Sequence, residues 1–557
     1  MQGMKRIVAL FSTALICLGL SAKGETVLNL IPYPQSVQLG KGSFKVAGVT
    51  FNGDPALDSR SREVISQFAS RIELVSGKTN SVAFPAGLDA VVAKGKAKGF
   101  LFMLDKSLGE EAYTIEITPS KAMVKASAFP GFFYAIQTLY QLLPVQIYGK
   151  HPVSEVSWRI PAVIIRDEPR FRHRGFMVDS GRHFFSVDEI KKVIDMMAIY
   201  KMNRLHWHLT EDQGWRFESK KYPRLTEIGA FRNGTMIGKD NTTNDGIRYG
   251  GYYTQDEIRD LVAYAEKKNI TIIPEIDLPG HMQAALAAYP NLGCTGGPYE
   301  VSTTWGIKKE VLCPGKEATF TFLEDILTEL TDIFPSEYIH IGGDECPRQR
   351  WKECPDCQQR IAELGIKSDD KHSAEDYLQN YVTARIQAFL NSKGRKIIGW
   401  DEILEGKLAE GATVMSWRGV KGGLKAARMG YDVIMSPNTY MYFDYYQSAD
   451  KDKEPLAIGN CLPLEKVYSY EPYTDLPAEA CPHILGVQAN LWTEFIGTND
   501  YLEYMMLPRA AALSEVQWSP AAAKDWESFR VRIKAAPAVY AILGYNFRPL
   551  DFLFSSI

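Results

Sequence analysis

At 557 residues the chain is too long for one ordinary hydrophobic core, so two or more domains are expected. Its composition is globular, 45% hydrophobic and 23% charged. A formal net charge of −3 gives no electrostatic case for nucleic acid or an anionic membrane as partner.

The first element is an address. Lys5 and Arg6 precede an apolar run from Ile7 to Leu20, followed by the small residues Ser21, Ala22 and Gly24. This pattern reads as a secretory signal over residues 1–24, too short to span a bilayer comfortably. Ile16 makes a poor lipoprotein site of Cys17, and no later segment has the length and apolarity of a membrane helix. The expectation is an exported protein that does not span a membrane, residing in a periplasm, on a cell surface or in the medium.

Export permits disulfides. Removal of the leader leaves seven of the eight cysteines, so at least one stays unpaired within the chain. Cys354 and Cys357, with Cys346 nearby, have metal-site spacing but no evident fourth ligand. A local disulfide or free thiols is the reading taken, with Cys294 and Cys313 flanking one loop that they can close.

Residues 25–165 read as a separate, smaller α+β domain. Strands are expected at Ser43–Phe51, Ala112–Thr118 and Lys121–Ala126, and helices at Ser61–Val75 and Gly131–Leu143. No catalytic constellation is visible there, which makes it a supporting domain. From residue 166 to 557 apolar strands alternate with amphipathic helices. The strands are Gly175–Asp179, Arg204–Leu209, Thr271–Ile276, Tyr338–Gly342, Lys396–Trp400, Thr413–Trp417, Asp432–Ser436 and Ile484–Asn490. Helices are expected at Val187–Lys201, Thr254–Lys268, Lys316–Phe334, Ala374–Lys393, Gly422–Met429 and Tyr501–Val516. This alternation predicts an α/β protein built on a (β/α)8 TIM barrel. The stretch from Asn438 to Pro482 is too long for a plain loop and must carry extra structure or part of the site. Residues 519–557 read as the closing part of the barrel.

Barrel enzymes place chemistry at the C-terminal ends of their strands. Here those ends carry Asp179 and Arg182, then His208, Glu211 and Asp212, then Glu275, Asp277 and His281. The later ends carry Asp344 and Glu345, Trp400 to Glu402, Trp417 and Arg418, Tyr440 to Asp444, and finally Trp492 and Glu494. The fourth strand is the most informative: Tyr338–Ile341 is apolar and β-branched, Gly342 and Gly343 open it, and Asp344-Glu345 finish it. Neighbouring carboxylates repel, so one titrates high and the other low, the split that general-acid catalysis requires. A lone Asp-Glu pair is more often a solvated loop, and Asp401-Glu402, which lack the two glycines, are read as a support for the fifth strand. No metal set is evident: His206 and His208 are read as facing opposite sides of their strand, and no third histidine has ligand spacing. Phosphate loops, nucleophile elbows and dinucleotide fingerprints are not found in a convincing context. What remains, carboxylates among tryptophans with one or two arginines, suits a neutral sugar and therefore glycoside hydrolysis.

The segments MVDSGRHF, LHWHLTEDQGWR, PEIDLPGH, HIGGDE, GWDE, SWRG, YFD and NLWTE follow one another as in glycoside hydrolase family 20, the exo-β-N-acetylhexosaminidases, and the chain resembles that family over nearly its whole mature length. The preceding unit, opening with Ile31-Pro32-Tyr33-Pro34, resembles the family's N-terminal domain. The resemblance implies a retaining, substrate-assisted hydrolase of glycans bearing terminal N-acetylhexosamine, without a cofactor or metal. It assigns Glu345 as general acid and base, Asp344 as acceptor of the acetamide N–H, and Tyr442 as donor to the acetamide oxygen. Arg182, Glu494 and Asp444 would hold hydroxyls, while Trp400, Trp417 and Trp492 line the pocket. His281 would support Glu345 together with the acid after the second strand. There the sequence departs from the pattern, with Glu211 followed by Asp212 where Asp is expected, so the partner of His281 is open. Structural alternatives stand beside these roles: the tryptophans as barrel core, Arg182 paired with Asp179, His281 as a helix cap, and Tyr440, Tyr445 or Tyr446 in place of Tyr442. Relatives that release a disaccharide or a sulfated sugar remain open, as does a glycan-binding protein on an inactive barrel.

Overall fold

The computed structural model describes residues 18–20, 26–95, 97–405 and 411–550. The expected leader lies outside these residues except for Leu18–Leu20, a strand that pairs antiparallel with Thr26–Leu28. Contacts divide the chain into two units, one of residues 1–169 with 519–557 and one of Arg170–Trp518.

The first unit is built on a seven-stranded mixed sheet: β1 (Ser36–Lys45), β2 (Thr50–Gly53), β3 (Ser81–Ala83), β4 (Gly99–Leu104), β5 (Tyr113–Thr118), β6 (Lys121–Ala126) and β7 (Arg159–Asp167). Their order across the sheet is β1-β7-β5-β6-β4-β2-β3. Strands β5 and β6 alternate buried and half-buried residues, as a half-covered sheet requires. Helix α1 (Ser59–Ser76) starts at Asp58, whose carboxylate accepts the Ser61 N–H at 2.9 Å, and stops at Gly77, where φ is +64°. It packs Phe68 edge-on against Phe100, which stacks on Phe51 at 4.5 Å. Helix α2 (Phe129–Leu142) is buried along most of its length. The strand expected across Ser43–Phe51 is two strands, β1 and β2, while β3, β4 and β7 are additions. Residues 519–550 belong to this unit rather than closing the barrel: Arg532 Nη1 donates to the Leu30 carbonyl at 2.7 Å, and Ser519 Oγ to that of Tyr33 at 3.0 Å.

The second unit is the barrel. Its strands are β8 (His173–Asp179), β9 (Arg204–His208), β10 (Thr271–Glu275), β11 (Tyr338–His340), β12 (Lys396–Trp400), β13 (Thr413–Ser416), β14 (Val433–Met435) and β15 (Ile484–Leu491). Among the described residues these eight run parallel and close, with β15 pairing back onto β8 through Gly175 and Gln488. Strands β8 and β15 are buried along their whole length, as strands covered on both faces must be. The helices include α3 (Val187–Ile199), α4 (Gln255–Glu266), α5 (Glu317–Ile333), α6 (Pro355–Glu363), α7 (Ala374–Ser392), α8 (Lys421–Arg428), α9 (Asn499–Met506) and α10 (Arg509–Trp518). Capping boxes at Thr254/Glu257 and Ser373/Asp376 fix the starts of α4 and α7. The single helix expected over Tyr501–Val516 is two, because Pro508 cannot donate within a helix. Between β14 and β15 lie short helices at Asn438–Met441 and Leu464–Ser469, the extra structure that the length of this connection demanded. Of the two alternatives, a local disulfide or free thiols, the structure has free thiols: Cys294, Cys313, Cys354 and Cys357 are all unbridged, and Cys294 and Cys313 do not close their loop.

Candidate active site

The end of β11 is a turn that only this sequence permits. Gly342 and Gly343 have φ of +64° and +100°, and a Cβ on Gly342 would lie 1.7 Å from Asp277 Oδ1. The same Asp277 oxygen accepts the Gly343 N–H at 3.1 Å, so the turn is moulded on the acid that follows β10. Glu345 then takes φ +47°, a left-handed conformation that costs a non-glycine residue about 1–3 kcal/mol. The Glu345 side chain is 35% exposed while Asp344 beside it is buried. Burial and the Asp344 charge push the Glu345 carboxyl above its ordinary range, against the opposing pull of His281 and Arg182. Asp344 Oδ1 is buried and has no hydrogen-bond partner among the described residues.

A line of alternating charge leads to this pair. Asp179, at the end of β8, accepts the N–H groups of Gly181 and Thr493 and lies 3.4 Å from the Arg182 guanidinium. Arg182 reaches Glu211 at 2.6 Å, with its guanidinium carbon 4.8 Å from the centre of the Trp492 ring. Burial opposes its charge, but Glu211, Asp179, Glu494 and Asp344 hold its pKa well above the usual value. Glu211 Oε1 is 2.7 Å from His281 Nδ1, whereas the nearer Asp212 oxygen is 3.4 Å away. The departure in the sequence is thereby resolved: Glu211 makes the shorter ion pair, and Asp212 instead accepts the Gln283 N–H at 3.0 Å. Despite burial, Arg182 and His281 hold Glu211 down at about 2. Burial opposes the charge of His281 as well, yet Glu211 and Asp212 raise its pKa well above the ordinary histidine value. Its Nε2 stands 3.7 Å from Asp344 Oδ2 and 3.8 Å from Glu345 Oε2.

Aromatic rings line the space in front of these acids. Trp417 and Trp492 are partly buried, and Trp417 stacks on Tyr442 with centroids 6.2 Å apart and planes at 14°. Trp400 lies deeper, 1% exposed, with its ring 5.6 Å from that of Trp492 and its N–H donated to Glu275 at 2.9 Å. Tyr442 is positioned by a parallel bridge to Asn490 of β15, while its rival Tyr440 packs on Tyr470 at 4.9 Å. Asp444 and Glu494 each bury a carboxylate oxygen without a partner among the described residues. Burial first, and then the neighbouring Glu494, raises the pKa of Asp444; burial and Asp179 raise that of Glu494, against Arg182.

Two features differ from the sequence reading. Residues two apart on a strand share a face, and His206 and His208 both meet Glu275; His206 Nε2 does so at 2.9 Å and His340 Nδ1 at 2.8 Å. Glu275 is therefore the hub of a buried histidine cluster inside the barrel, and its signal was the polar alternation along β9. Glu402 is also more than a support. It accepts the Trp417 N–H at 2.9 Å, and burial with the nearby Asp344 raises it to about 8. Asp401 does act as a brace, holding Arg418 Nε at 2.6 Å. Beside Glu345 opens a cleft of about 300 Å³ lined by Arg348, Gln379, Glu402 and Arg418.

The chain matches the model of the catalytic domain of glycosyl hydrolase family 20 over residues 171–521, and that of the family's domain 2 over residues 27–168. It belongs to glycosyl hydrolase family 20. Among family relatives, a beta-hexosaminidase of Porphyromonas gingivalis is 46% identical over 442 residues, covering 79% of this chain and 55% of that protein. One of Vibrio furnissii is 37% identical, over 73% of this chain and 65% of its own length. The chain thus spans less than two thirds of these two relatives. Solved family 20 structures superpose over almost all of it. A beta-N-acetylhexosaminidase of Streptomyces coelicolor gives a TM-score of 0.79 at 29% identity, covering 93% of this chain and 97% of the other. An exo beta-N-acetylglucosaminidase of Vibrio harveyi in complex with N-acetylglucosamine gives 0.80 at 31% identity, covering 94% and 78%.

Proposed function

We propose that this protein is a retaining, exo-acting β-N-acetylhexosaminidase that releases terminal N-acetylglucosamine or N-acetylgalactosamine from glycans with the help of the substrate's own acetamide. The observation that carries the reading is a buried Asp344 oxygen without a partner among the described residues, beside a Glu345 whose pKa is pushed up by burial and by the Asp344 charge. Ligand oxygens of Asp344 and Glu345 and the ring nitrogen of His281 lie within 4.8 Å of one another.

In this reading Glu345 protonates the leaving oxygen while the acetamide oxygen attacks the anomeric carbon from within the sugar. Asp344 takes the acetamide N–H and steadies the positive charge that grows there. Tyr442 donates its hydroxyl to the attacking oxygen, and Trp417 and Trp492 confine the group so that attack is intramolecular. Water then opens the oxazolinium intermediate, with Glu345, now a carboxylate, as base. Arg182, Asp444 and Glu494 supply charged partners for ring hydroxyls.

An aryl β-N-acetylglucosaminide is expected to turn over while the matching β-glucoside, with a hydroxyl in place of the acetamide, does not. Comparable rates on both would point to a carboxylate nucleophile and remove the role given to Asp344. The pH profile supplies a second test. His281 lowers the pKa of Glu345, so His281→Gln should move the alkaline limb of kcat/KM to higher pH. A lower rate with an unmoved limb would reduce His281 to a structural part. The leader pattern of residues 1–24 supports export, and the intact mass of protein recovered from its native host should begin near residue 23 or 25.

A further inference from the structure

We propose that Cys294, Cys313, Cys354 and Cys357 form a structural site for one zinc ion, outside the sugar pocket. Their four sulfurs lie within 4.8 Å of one another. The close approaches are 3.8 Å for Cys294–Cys357, 3.6 Å for Cys313–Cys354 and 3.5 Å for Cys313–Cys357. Sulfurs about 2.3 Å from a tetrahedral zinc stand about 3.8 Å apart, so the cluster already has the dimensions of a four-thiolate zinc site. Two disulfides would draw the sulfurs into pairs. Here Cys313 instead approaches Cys354 and Cys357 almost equally.

The surroundings suit thiolates. Cys354 is the N-cap of α6 and Cys357 lies in its first turn, where the helix dipole and unpaired N–H groups favour negative charge. The Gly315 N–H bonds to the Cys313 sulfur. Gly315 is itself obligatory, since a Cβ there would sit 2.2 Å from the Asp356 carbonyl carbon. The bridge between Gly293 and Leu312 brings Cys294 alongside Cys313, and Lys316 Nζ caps the Gly293 carbonyl at 2.7 Å. Three of the sulfurs are buried in an apolar shell with Val311, Trp351, Ile361 and Leu378. Such a shell protects a soft, redox-inert ion and leaves no open coordination position, as a structural site requires. Binding converts four thiols to thiolates and releases their protons to solvent.

The ion would clip together the loops that follow β10 and β11. The first carries His281 and the second carries Glu345. They already touch where the Trp351 indole N–H meets the Leu312 carbonyl at 2.9 Å and where a Gly280 Cβ would lie 3.3 Å from Cys346 Cα.

The test uses the full protein, purified without a metal-affinity column and assayed by elemental analysis. About one zinc per chain is expected, released in step with the titration of four thiols by a mercurial. Cobalt exchanged into the site should show thiolate-to-metal charge-transfer and tetrahedral d–d absorption. Cys357→Ser should lose the metal and melt at a lower temperature, whereas Cys481→Ser should keep one zinc. Because the wild-type measurements need no variant to fold, a misfolded Cys357→Ser leaves the test intact. Disulfide-linked peptides joining these four residues would overturn the proposal. So would iron in place of zinc, or ready alkylation of all four thiols in the native, metal-free protein.

Discussion

Glu345→Gln is expected to slow hydrolysis of substrates with poor leaving groups by about 10²–10⁴-fold, the usual worth of a positioned general acid. Glutamine keeps the shape of the side chain and removes only the transferable proton. The loss should shrink on an activated nitrophenyl glycoside, whose leaving group departs without protonation. Circular dichroism and melting temperature should not change, since the side chain is one-third exposed and its buried neighbours keep their contacts. Wild-type turnover on both kinds of substrate would end the assignment of Glu345 as the acid.

Asp344→Asn is expected to cost about 10²–10³-fold, chiefly in kcat, because it removes a fixed charge aimed where positive charge develops. A second signature separates this from general damage. Asp344 raises the pKa of Glu345, so its neutralisation lets Glu345 give up its proton at lower pH. The alkaline limb should therefore move toward acid, opposite to the shift expected for His281→Gln. Full activity in Asp344→Asn would leave substrate assistance without its protein partner.

The barrel was legible because each of its strands is a short apolar run ending in polar residues, a pattern dictated by burial on two faces and chemistry at one end. The first unit was harder. Strand β4 (GFLFML) is buried almost throughout and so shows no alternation, and β7 carries Pro161 inside a strand whose charges sit only at its two ends. The acid pair stood out because two glycines precede it, yet Glu402 was hidden by the same dipeptide lacking them. The cysteine cluster could not be read from spacing. Cys294 and Cys313 are 19 positions apart and Cys354 and Cys357 are three, but 41 positions separate Cys313 from Cys354, and only the meeting of two loops brings the pairs together. Reading the β9 histidines onto opposite faces was an error of strand geometry, and it concealed the Glu275 hub.

The alternation from Asp179 through Arg182, Glu211 and His281 to Asp344 and Glu345 has a consequence for how this site can change. The Arg182 guanidinium, proposed to hold a sugar hydroxyl, and the proton affinity of Glu345 share one electrostatic circuit, with no neutral residue to insulate them. Substitutions at its two ends should be non-additive even where the side chains do not touch. Selectivity for a sugar and the pH at which that sugar is cleaved are then inherited as one trait, and redesign of either will retune the other.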